Sequence, residues 1–593
     1  MALALLAGSL VVPFNAASQQ VPPVVRSQDA AAALPAELQA SEVRSAYGMV
    51  VSGIPEASRA GATILEQGGN AVDAAVAMAF AIGVVDPLNA GLGGQCYLFV
   101  HLRDGRDVAV DGSAPVPLRV VPKELKVLKE SGVLYGYKVA TTPATPAALA
   151  YTLKRFGTMS LAQVLAPAIK LAEYGHQIRP TVLCVMDEFQ ARLRENGFLA
   201  SVFLRDGSDP WPPGHVYCQP ALAETFRRLA AHGVEDFYSG RIADEIAADM
   251  AANGGYVSTQ DLAHVRPTER SPVRGSYRGF DVAAFPSPGG GDIVVEALQI
   301  LGTFSPDFLR QDSVDRMHLL LEAVRLAFRD ASGSEETPFL STVSLNPTRA
   351  QRRAAMIRFD RALREDELPA ARNQYFNDRE TTHISVVDRF GNAVALTQSL
   401  GYGSFVATSS LGFQYNSLLE TSEFCDAKSP NFPVPFRTVR STMAPTIVFC
   451  NGQPFLVLGG AGSTRIPSMI VAVVSNVVDR GMSLRDAVMA PRTLFSRPNP
   501  KNLPATCFSP PSEVSYEDRT YLELAGPTTA QQADQLEARG FTHQYRLTFP
   551  VRDPVKFRSF GGVNVVMVDP ATGLLVGVGD PRRHGAAAAP NPP

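Results

Sequence analysis

The spacing of apolar residues changes near residue 380, and this change restricts the possible folds more than any other feature. Before residue 380 the spacing predicts helices at 57–67, 71–85, 147–156, 161–174, 221–232, 242–253, from near 292, and at 313–331. After it, alternating residues predict strands at 382–387 and 393–399 and hairpins at 446–458 and 563–578. We therefore expect an α+β fold, with sheets covered by helices.

The segment that ends at this change, 352–380, is dense in Arg, Asp and Glu. Its composition fits an exposed, mobile segment. A solvated surface helix followed by a loop fits it equally well. In both cases the chain is accessible just before Thr381.

The first predicted hairpin brings two hydroxyl groups together. If Val387 pairs with Ala393, Thr381 lies opposite Ser399. A bulge would change this register. An ordinary Thr–Ser pair across two strands is the simplest explanation, so the pair alone does not indicate catalysis.

A threonine within the chain is a poor nucleophile because nothing removes the proton of its hydroxyl. A threonine at a chain terminus carries its own base, since its free α-amine has a reference pKa of ~7.7–8.0. Cleavage between Glu380 and Thr381 would create this catalyst from an exposed linker.

Composition excludes several other classes. The 593 residues carry a net charge of −3, which gives no reason to expect a nucleic-acid partner. The six cysteines form no CxxC pair, so we expect buried thiols and no metal or organic cofactor. The apolar helix at 71–85 is shorter than the ~20 residues that span a bilayer, so we expect it in the core and expect no transmembrane span.

The N-terminal segment, 1–44, combines an apolar start with a stretch rich in Ala, Pro and Gln. It resembles the later part of a secretory signal followed by a linker, but no Lys or Arg precedes the apolar run. A signal would predict a periplasmic or secreted protein. A merely apolar N-terminus would leave it cytoplasmic.

Several motifs together resemble those of the γ-glutamyltranspeptidase family, over roughly residues 45 to 585. They are GGNAVDAAVA at 68–77, GLGG at 91–94, FYSG at 237–240, PGGG at 288–291, TTHISVVD at 381–388, GNAV at 391–394, APT at 444–446 and DPRR at 580–583. Each is weak alone, and their common order is what makes the resemblance specific.

The resemblance implies a four-layer αββα N-terminal-nucleophile hydrolase fold. It also implies self-cleavage into a large subunit, 45–380, and a small subunit, 381–593, that remain associated as one αββα unit. Thr381 would be the nucleophile and Ser399 its supporting hydroxyl. Gly462 and Ser463 would donate backbone N–H groups to the oxyanion.

The family's carboxylate-binding residues are only partly present. Ser113 stands where the family has an arginine, and a hydroxyl lacks the charge and the bidentate geometry that suit a carboxylate. Ser441 and Thr442 stand where the family has a Ser-Ser pair that binds the same group.

Three further candidates follow from the same comparison. Asn416 matches a substrate-binding asparagine, and Glu423 is a candidate partner for a substrate ammonium. Arg440 is a candidate replacement cation, with a surface arginine as the simpler alternative.

The residues around Thr381 predict an amidase or acyltransferase that forms an acyl-Thr381 ester, and the resemblance implies that it passes a γ-glutamyl group from glutathione-like amides to water or an amine. Two alternatives stay open. One is a cephalosporin-acylase-like hydrolase with another acyl group, and the other is a non-catalytic family member that serves as a binding protein.

Overall fold

The computed structural model describes residues 42–133, 135–212, 214–331, 345–369, 381–424, 427, 429–496, 519–524, 527–541, 543–548 and 561–592. The signal-like segment as far as residue 41 lies outside this range. So do Glu380, Cys425 and Cys507.

Two seven-stranded sheets form the centre of the molecule. Sheet I has, in order across it, Ala586–Ala588, Gly48–Ser52, Thr382–Asp388, Ala393–Ser399, Gln95–His101, Asp107–Gly112 and Thr268–Arg270. Sheet II has Glu42–Ser45, Leu575–Gly579, Gly562–Val568, Gln453–Ala461, Thr446–Cys450, Phe280–Ala284 and Val273–Tyr277. Each sheet contains strands from both sides of residue 380, and neighbouring strands are antiparallel throughout.

The remaining strands form small sheets at the periphery. They are His176–Gln177 with Val216–Tyr217, Leu204–Arg205 with Asp209–Pro210, and the three strands Thr493–Ser496, Arg519–Leu524 and His543–Thr548.

Helices occur in two groups along the chain. Those before residue 265 are Pro55–Glu66, Ala71–Val85, Pro122–Glu130, Thr145–Phe156, Leu161–Tyr174, Pro180–Glu188, Gln190–Glu195, Gly197–Phe203, Pro220–His232, Glu235–Ser239, Arg241–Ala252 and Thr259–His264. Those after residue 290 are Gly291–Gly302, Pro306–Arg310, Val314–Ala331, Pro347–Ala354, Ile466–Val478, Leu484–Met489 and Pro527–Ala538.

The three largest apolar clusters of the described residues join the layers. One lies between the first group of helices and sheet I, and a second lies between the later helices and sheet II. The third, which includes Val51, Phe99 and Val457, lies between the two sheets. This is the predicted α+β class with four αββα layers, and both expectations are confirmed.

Helix Ala71–Val85 shows how local sequence positions these layers. The Asn70 side chain accepts from the backbone N–H of Asp73 at 3.0 Å, and the Asp73 carboxylate accepts from the N–H of Asn70 at 2.8 Å. All fifteen residues of the helix are buried, as its apolar sequence predicts. The Asp388 carboxylate accepts from Ala71 N–H at 3.0 Å, which ties this helix to the hairpin that begins at Thr381.

Every helix in the described part of the chain is too short or too polar to cross a lipid bilayer. Among the described cysteines, Cys96 and Cys450 are buried as expected, whereas Cys218 is exposed.

Candidate active site

Thr381 lies directly before the central strand Thr382–Asp388 of sheet I and is only 5% exposed. Val387 pairs with Ala393, and the register runs without a shift to Thr382 and Gln398. The predicted register is therefore confirmed, and its continuation places Thr381 opposite Ser399. Both side chains line one cavity.

The turn after strand Gln453–Ala461 faces Thr381. Gly462 N–H donates to Thr381 Oγ1 at 3.3 Å. Gly462 has φ 145°, and a Cβ there would lie 2.9 Å from the Cα of Gly561, so only glycine fits. Ser463 has φ 63°, a left-handed conformation that costs a residue with a side chain some strain. A single 3-10 turn, Ser463–Arg465, joins Gly462 to helix Ile466–Val478.

The cavity beside Thr381 brings six of the predicted site residues together. Its lining is Gln95, Thr381, Ser399, Leu418, Thr421, Val439, Arg440, Ser441, Thr442 and Ser463. Thr442 Oγ1 donates to the carbonyl of Ser463 at 2.9 Å, so it holds the glycine turn. The partly exposed Ser441 Oγ accepts from Met443 N–H at 3.2 Å, which leaves its own O–H proton available for another acceptor.

Arg440 is buried at 6% exposure, so the alternative of a surface arginine is wrong. Its Nη1 donates to the carbonyl of Ala331 at 2.7 Å, and its Nη2 lies 3.8 Å from the carboxylate of Asp292. Burial lowers the pKa of Arg440 while Asp292 opposes that shift, and burial raises the pKa of Asp292. A guanidinium remains charged under such a shift, so the cavity wall carries a cation.

Ser113 does not line this cavity. Its Oγ donates to the Asp111 carboxylate at 2.5 Å and is 3.1 Å from Tyr97 OH. Arg270 Nε donates to the other oxygen of Asp111 at 2.7 Å. Ser113 therefore belongs to a buried network beside the cavity, in which its hydroxyl points to Asp111, and its role as a substrate contact stays a prediction.

Asn416 also has a different environment from the predicted one. It is fully buried, and its Nδ2 donates to the carbonyls of Gly93 at 2.7 Å and Thr141 at 3.0 Å. Its Oδ1 accepts from Thr141 N–H, from Thr141 Oγ1 and from Leu418 N–H, at 2.8 to 3.1 Å. With its hydrogen bonds made inside the protein, Asn416 positions the loop that carries Leu418 into the cavity and is not itself a lining residue.

Glu423 is likewise not part of the lining. It is 1% exposed, and its backbone N–H donates to the carbonyl of Asn431 at 3.0 Å. Among the described residues that line the cavity none is acidic.

A second cavity lies on the other side of Thr381 and was not predicted. It is lined by Gly53, Ile54, Asp86, Asn89, Thr381, Thr382, Ala461, Gly562, Asn564 and Arg583. Arg583 Nη1 donates to the carbonyl of Thr381 at 3.5 Å. The TTHISVVD and DPRR motifs contain three of its lining residues, Thr381, Thr382 and Arg583, but neither motif predicted a second cavity.

His383, two residues after Thr381, is fully buried between the sheets. Its Nδ1 is 2.8 Å from Thr397 Oγ1 and its Nε2 is 3.0 Å from Ser385 Oγ. Burial lowers its pKa to about 3, so the ring is neutral near pH 7. A ring bonded on both nitrogens is not available to take the proton of Thr381, which leaves the α-amine as the base in the chemistry described above.

Comparisons with known proteins agree with this geometry. The family model for gamma-glutamyltranspeptidase matches residues 57–590. The acylase ACY 1 proenzyme of Pseudomonas sp. strain V22 is 32% identical, with 91% of this chain and 93% of the relative covered. The glutathione hydrolase proenzyme of Escherichia coli K12 is 31% identical, with coverage of 76% and 81%.

Among solved structures, the cephalosporin acylase of Bacillus halodurans has a TM-score of 0.78 at 29% identity. It covers 93% of this chain and 97% of its own length. These likenesses support an enzyme of amide hydrolysis or acyl transfer that is made as a precursor. From its motifs, its four-layer fold and the family match over most of its length, the chain belongs to the gamma-glutamyltranspeptidase family.

Proposed function

We propose that this chain cleaves itself between Glu380 and Thr381 and then uses Thr381 to take an acyl group from an amide. The observation that carries the proposal is the hydrogen bond from Gly462 N–H to Thr381 Oγ1, beside a cavity whose lining includes both Thr381 and the buried Arg440. The acyl-Thr381 ester passes its acyl group to water or to an amine.

The chemistry needs a base, a nucleophile and an oxyanion donor. The α-amine freed by cleavage supplies the base, because it is substantially neutral near pH 7. Thr381 Oγ1 attacks the amide carbon, and the amine leaves with the proton that the α-amine has taken up. The backbone N–H groups of Gly462 and Ser463 stabilise the negative charge on the carbonyl oxygen, and Ser399 supports the hydroxyl.

The acyl group carries a distal carboxylate in this proposal. Arg440 and the Ser441 hydroxyl offer a positive charge and a hydrogen-bond donor on the cavity wall, and both suit a carboxylate. A γ-glutamyl group and a simple dicarboxylic monoacyl group both have one. The absence of an acidic residue from the described lining favours the second, because only the γ-glutamyl group brings an ammonium.

Self-cleavage is tested by expressing the full chain and Thr381→Ala side by side. On a denaturing gel the wild type should give two fragments, and mass spectrometry should find Thr381 as the first residue of the smaller one. Thr381→Ala should remain a single chain without activity. A first residue other than Thr381, or full amidase activity in Thr381→Ala, contradicts the mechanism, and an intact wild-type chain supports the non-catalytic alternative.

The acyl group is tested with three p-nitroanilides, γ-glutamyl, glutaryl and butyryl. We expect glutaryl to have the highest kcat/KM, butyryl to be poor for lack of the carboxylate, and γ-glutamyl to fall between them. Arg440→Lys, which keeps the charge but loses the planar fork, should lower the glutaryl rate. A wild-type preference for γ-glutamyl over glutaryl contradicts the proposed acyl group and makes the substrate an ordinary γ-glutamyl amide. Adding an amine acceptor distinguishes transfer from hydrolysis.

A further inference from the structure

Gln95 is a cavity residue that the family motifs did not single out. It begins strand Gln95–His101 and pairs directly with Ser399 in the neighbouring strand. Directly opposed side chains on neighbouring strands lie within ~5.5 Å at Cβ. Gln95 is 4% exposed and lines the cavity together with Thr381 and Arg440.

The orientation of its carboxamide follows from its one hydrogen bond. Ala114 N–H donates to Gln95 Oε1 at 3.2 Å. Because an N–H group needs an acceptor, the oxygen must face Ala114, and the NH2 group then faces the other way. No residue in the described part of the chain makes a hydrogen bond to Nε2. Nε2 is accessible, because it is not one of the fully buried side-chain atoms that lack a hydrogen-bond partner.

Because this NH2 group opens to the cavity and has no protein partner, water or a bound ligand must accept its hydrogen bonds, and a ligand that displaces the water must replace them. The neighbouring cavity walls present Arg440 and Ser441, which are also donors. The group that completes this set is therefore rich in acceptor oxygens, as a carboxylate is.

We propose that Gln95 is a specificity-determining residue, whose Nε2 donates to the distal carboxylate of the acyl group while Arg440 neutralises its charge. The proposal rests on the proposed function. It makes the proposed function more specific, because recognition of the acyl group is assigned to Gln95, which pairs with Ser399 in the neighbouring strand. Butyryl amides, which end in a methyl group, gain nothing from Gln95.

The decisive variant is Gln95→Glu. It keeps an oxygen for Ala114 N–H and replaces the donor with a second oxygen, so it separates recognition of the acyl group from support of the Ala114 loop. Gln95→Met removes both the oxygen and the donor. It is a control for Gln95→Glu, in which a protonated glutamate could still donate a hydrogen bond. Gln67→Glu, on the exposed end of the first helix, is the matched control for the added charge.

All four proteins are assayed at pH 8 with glutaryl, γ-glutamyl and butyryl p-nitroanilides, after equal self-cleavage is verified on a gel. We expect Gln95→Glu and Gln95→Met to lower kcat/KM for glutaryl by about tenfold to hundredfold, the effect of one hydrogen bond to a charged group. Butyryl should change less than threefold, and Gln67→Glu should match the wild type. Gln95→Glu should affect γ-glutamyl less than glutaryl, because the new carboxylate attracts its ammonium.

The proposal for Gln95 is overturned if the variants lose activity equally on all three anilides, which would indicate a purely structural role, or if glutaryl is unaffected. These outcomes require an active wild type. A wild type that fails to cleave itself or hydrolyses none of the three anilides overturns the proposed function instead, so the two failures are distinguishable.

Discussion

Substituting Gly462 by alanine tests the oxyanion site with a single added methyl group. The methyl group would lie 2.9 Å from Gly561 Cα and 3.1 Å from Met469 Cε, and φ of 145° is a conformation that L residues rarely adopt. The turn must therefore shift, and its N–H can no longer donate to Thr381 Oγ1 at 3.3 Å. The methyl group itself removes no hydrogen-bonding atom, so any loss of rate comes from the moved amide.

Loss of one oxyanion donor typically lowers kcat by ~10²–10³. Gly452→Ala is the matched control, because Gly452 also has a positive φ of 76° but has no atom within 4 Å of the added Cβ. It lies on the turn between strands Thr446–Cys450 and Gln453–Ala461. Its backbone strain of ~1–2 kcal/mol should lower the melting temperature without changing kcat.

The assay measures kcat on glutaryl p-nitroanilide per molecule of cleaved protein, with the cleaved fraction read from a gel. Gly462→Ala should fall at least a hundredfold, whereas Gly452→Ala should stay within twofold of the wild type. If kcat of cleaved Gly462→Ala remains within threefold of the wild type, Gly462 does not serve the transition state and the assignment of the oxyanion site is refuted.

Three further predictions concern other parts of the molecule. Ser399→Ala should lower kcat more than it raises KM, since a positioned hydroxyl acts mainly in the transition state; unchanged kcat in a cleaved protein would show that the role is wrong. Asn416→Ala should lower the melting temperature sharply, because each buried group left without its hydrogen bond costs about 1–3 kcal/mol. A raised KM at an unchanged melting temperature would instead show that Asn416 contacts the substrate. Burial lowers the pKa of His318 to about 4 from an ordinary 6.5. Between these pH values the unfolded chain binds a proton that the folded chain does not, so the free energy of unfolding falls as the pH drops from 6.5 to 4. His318→Phe should reduce this loss by up to about 1.4 kcal/mol per pH unit, measured by denaturant unfolding at pH 7 and pH 5, and an unchanged pH dependence would contradict it.

The elements around Thr381 were predictable because they follow from local patterns. The alternation of residues 382–387 and 393–399 and the short turn between them leave little freedom in register. That register then fixes which residue lies opposite Thr381. The helix N-cap at Asn70 and the glycine turn at 462 also follow from short stretches of sequence.

The residues that shape the cavity were less predictable, because their surroundings come from distant parts of the chain. Arg440 owes its burial to contacts with Ala331 and Asp292, more than a hundred positions away. Asn416 bonds to Gly93 and Thr141, which no local pattern connects to it. Gln95 directly follows the GLGG motif at 91–94, but only its pairing with Ser399 in the neighbouring strand brings it to the cavity.

The position of Thr381 in the sheet shows how the proposed mechanism could hold a chain end precisely in place. The strand that follows it pairs with Gly48–Ser52 on one side and Ala393–Ser399 on the other, so its backbone is held along both edges. The proposed cut before Thr381 frees an amine without releasing this strand. Because both sheets also contain strands from each side of residue 380, the two fragments would share the core between the sheets, and a separation would expose all of it. Self-cleavage can therefore add a base to the site without moving the hydroxyl away from Gly462.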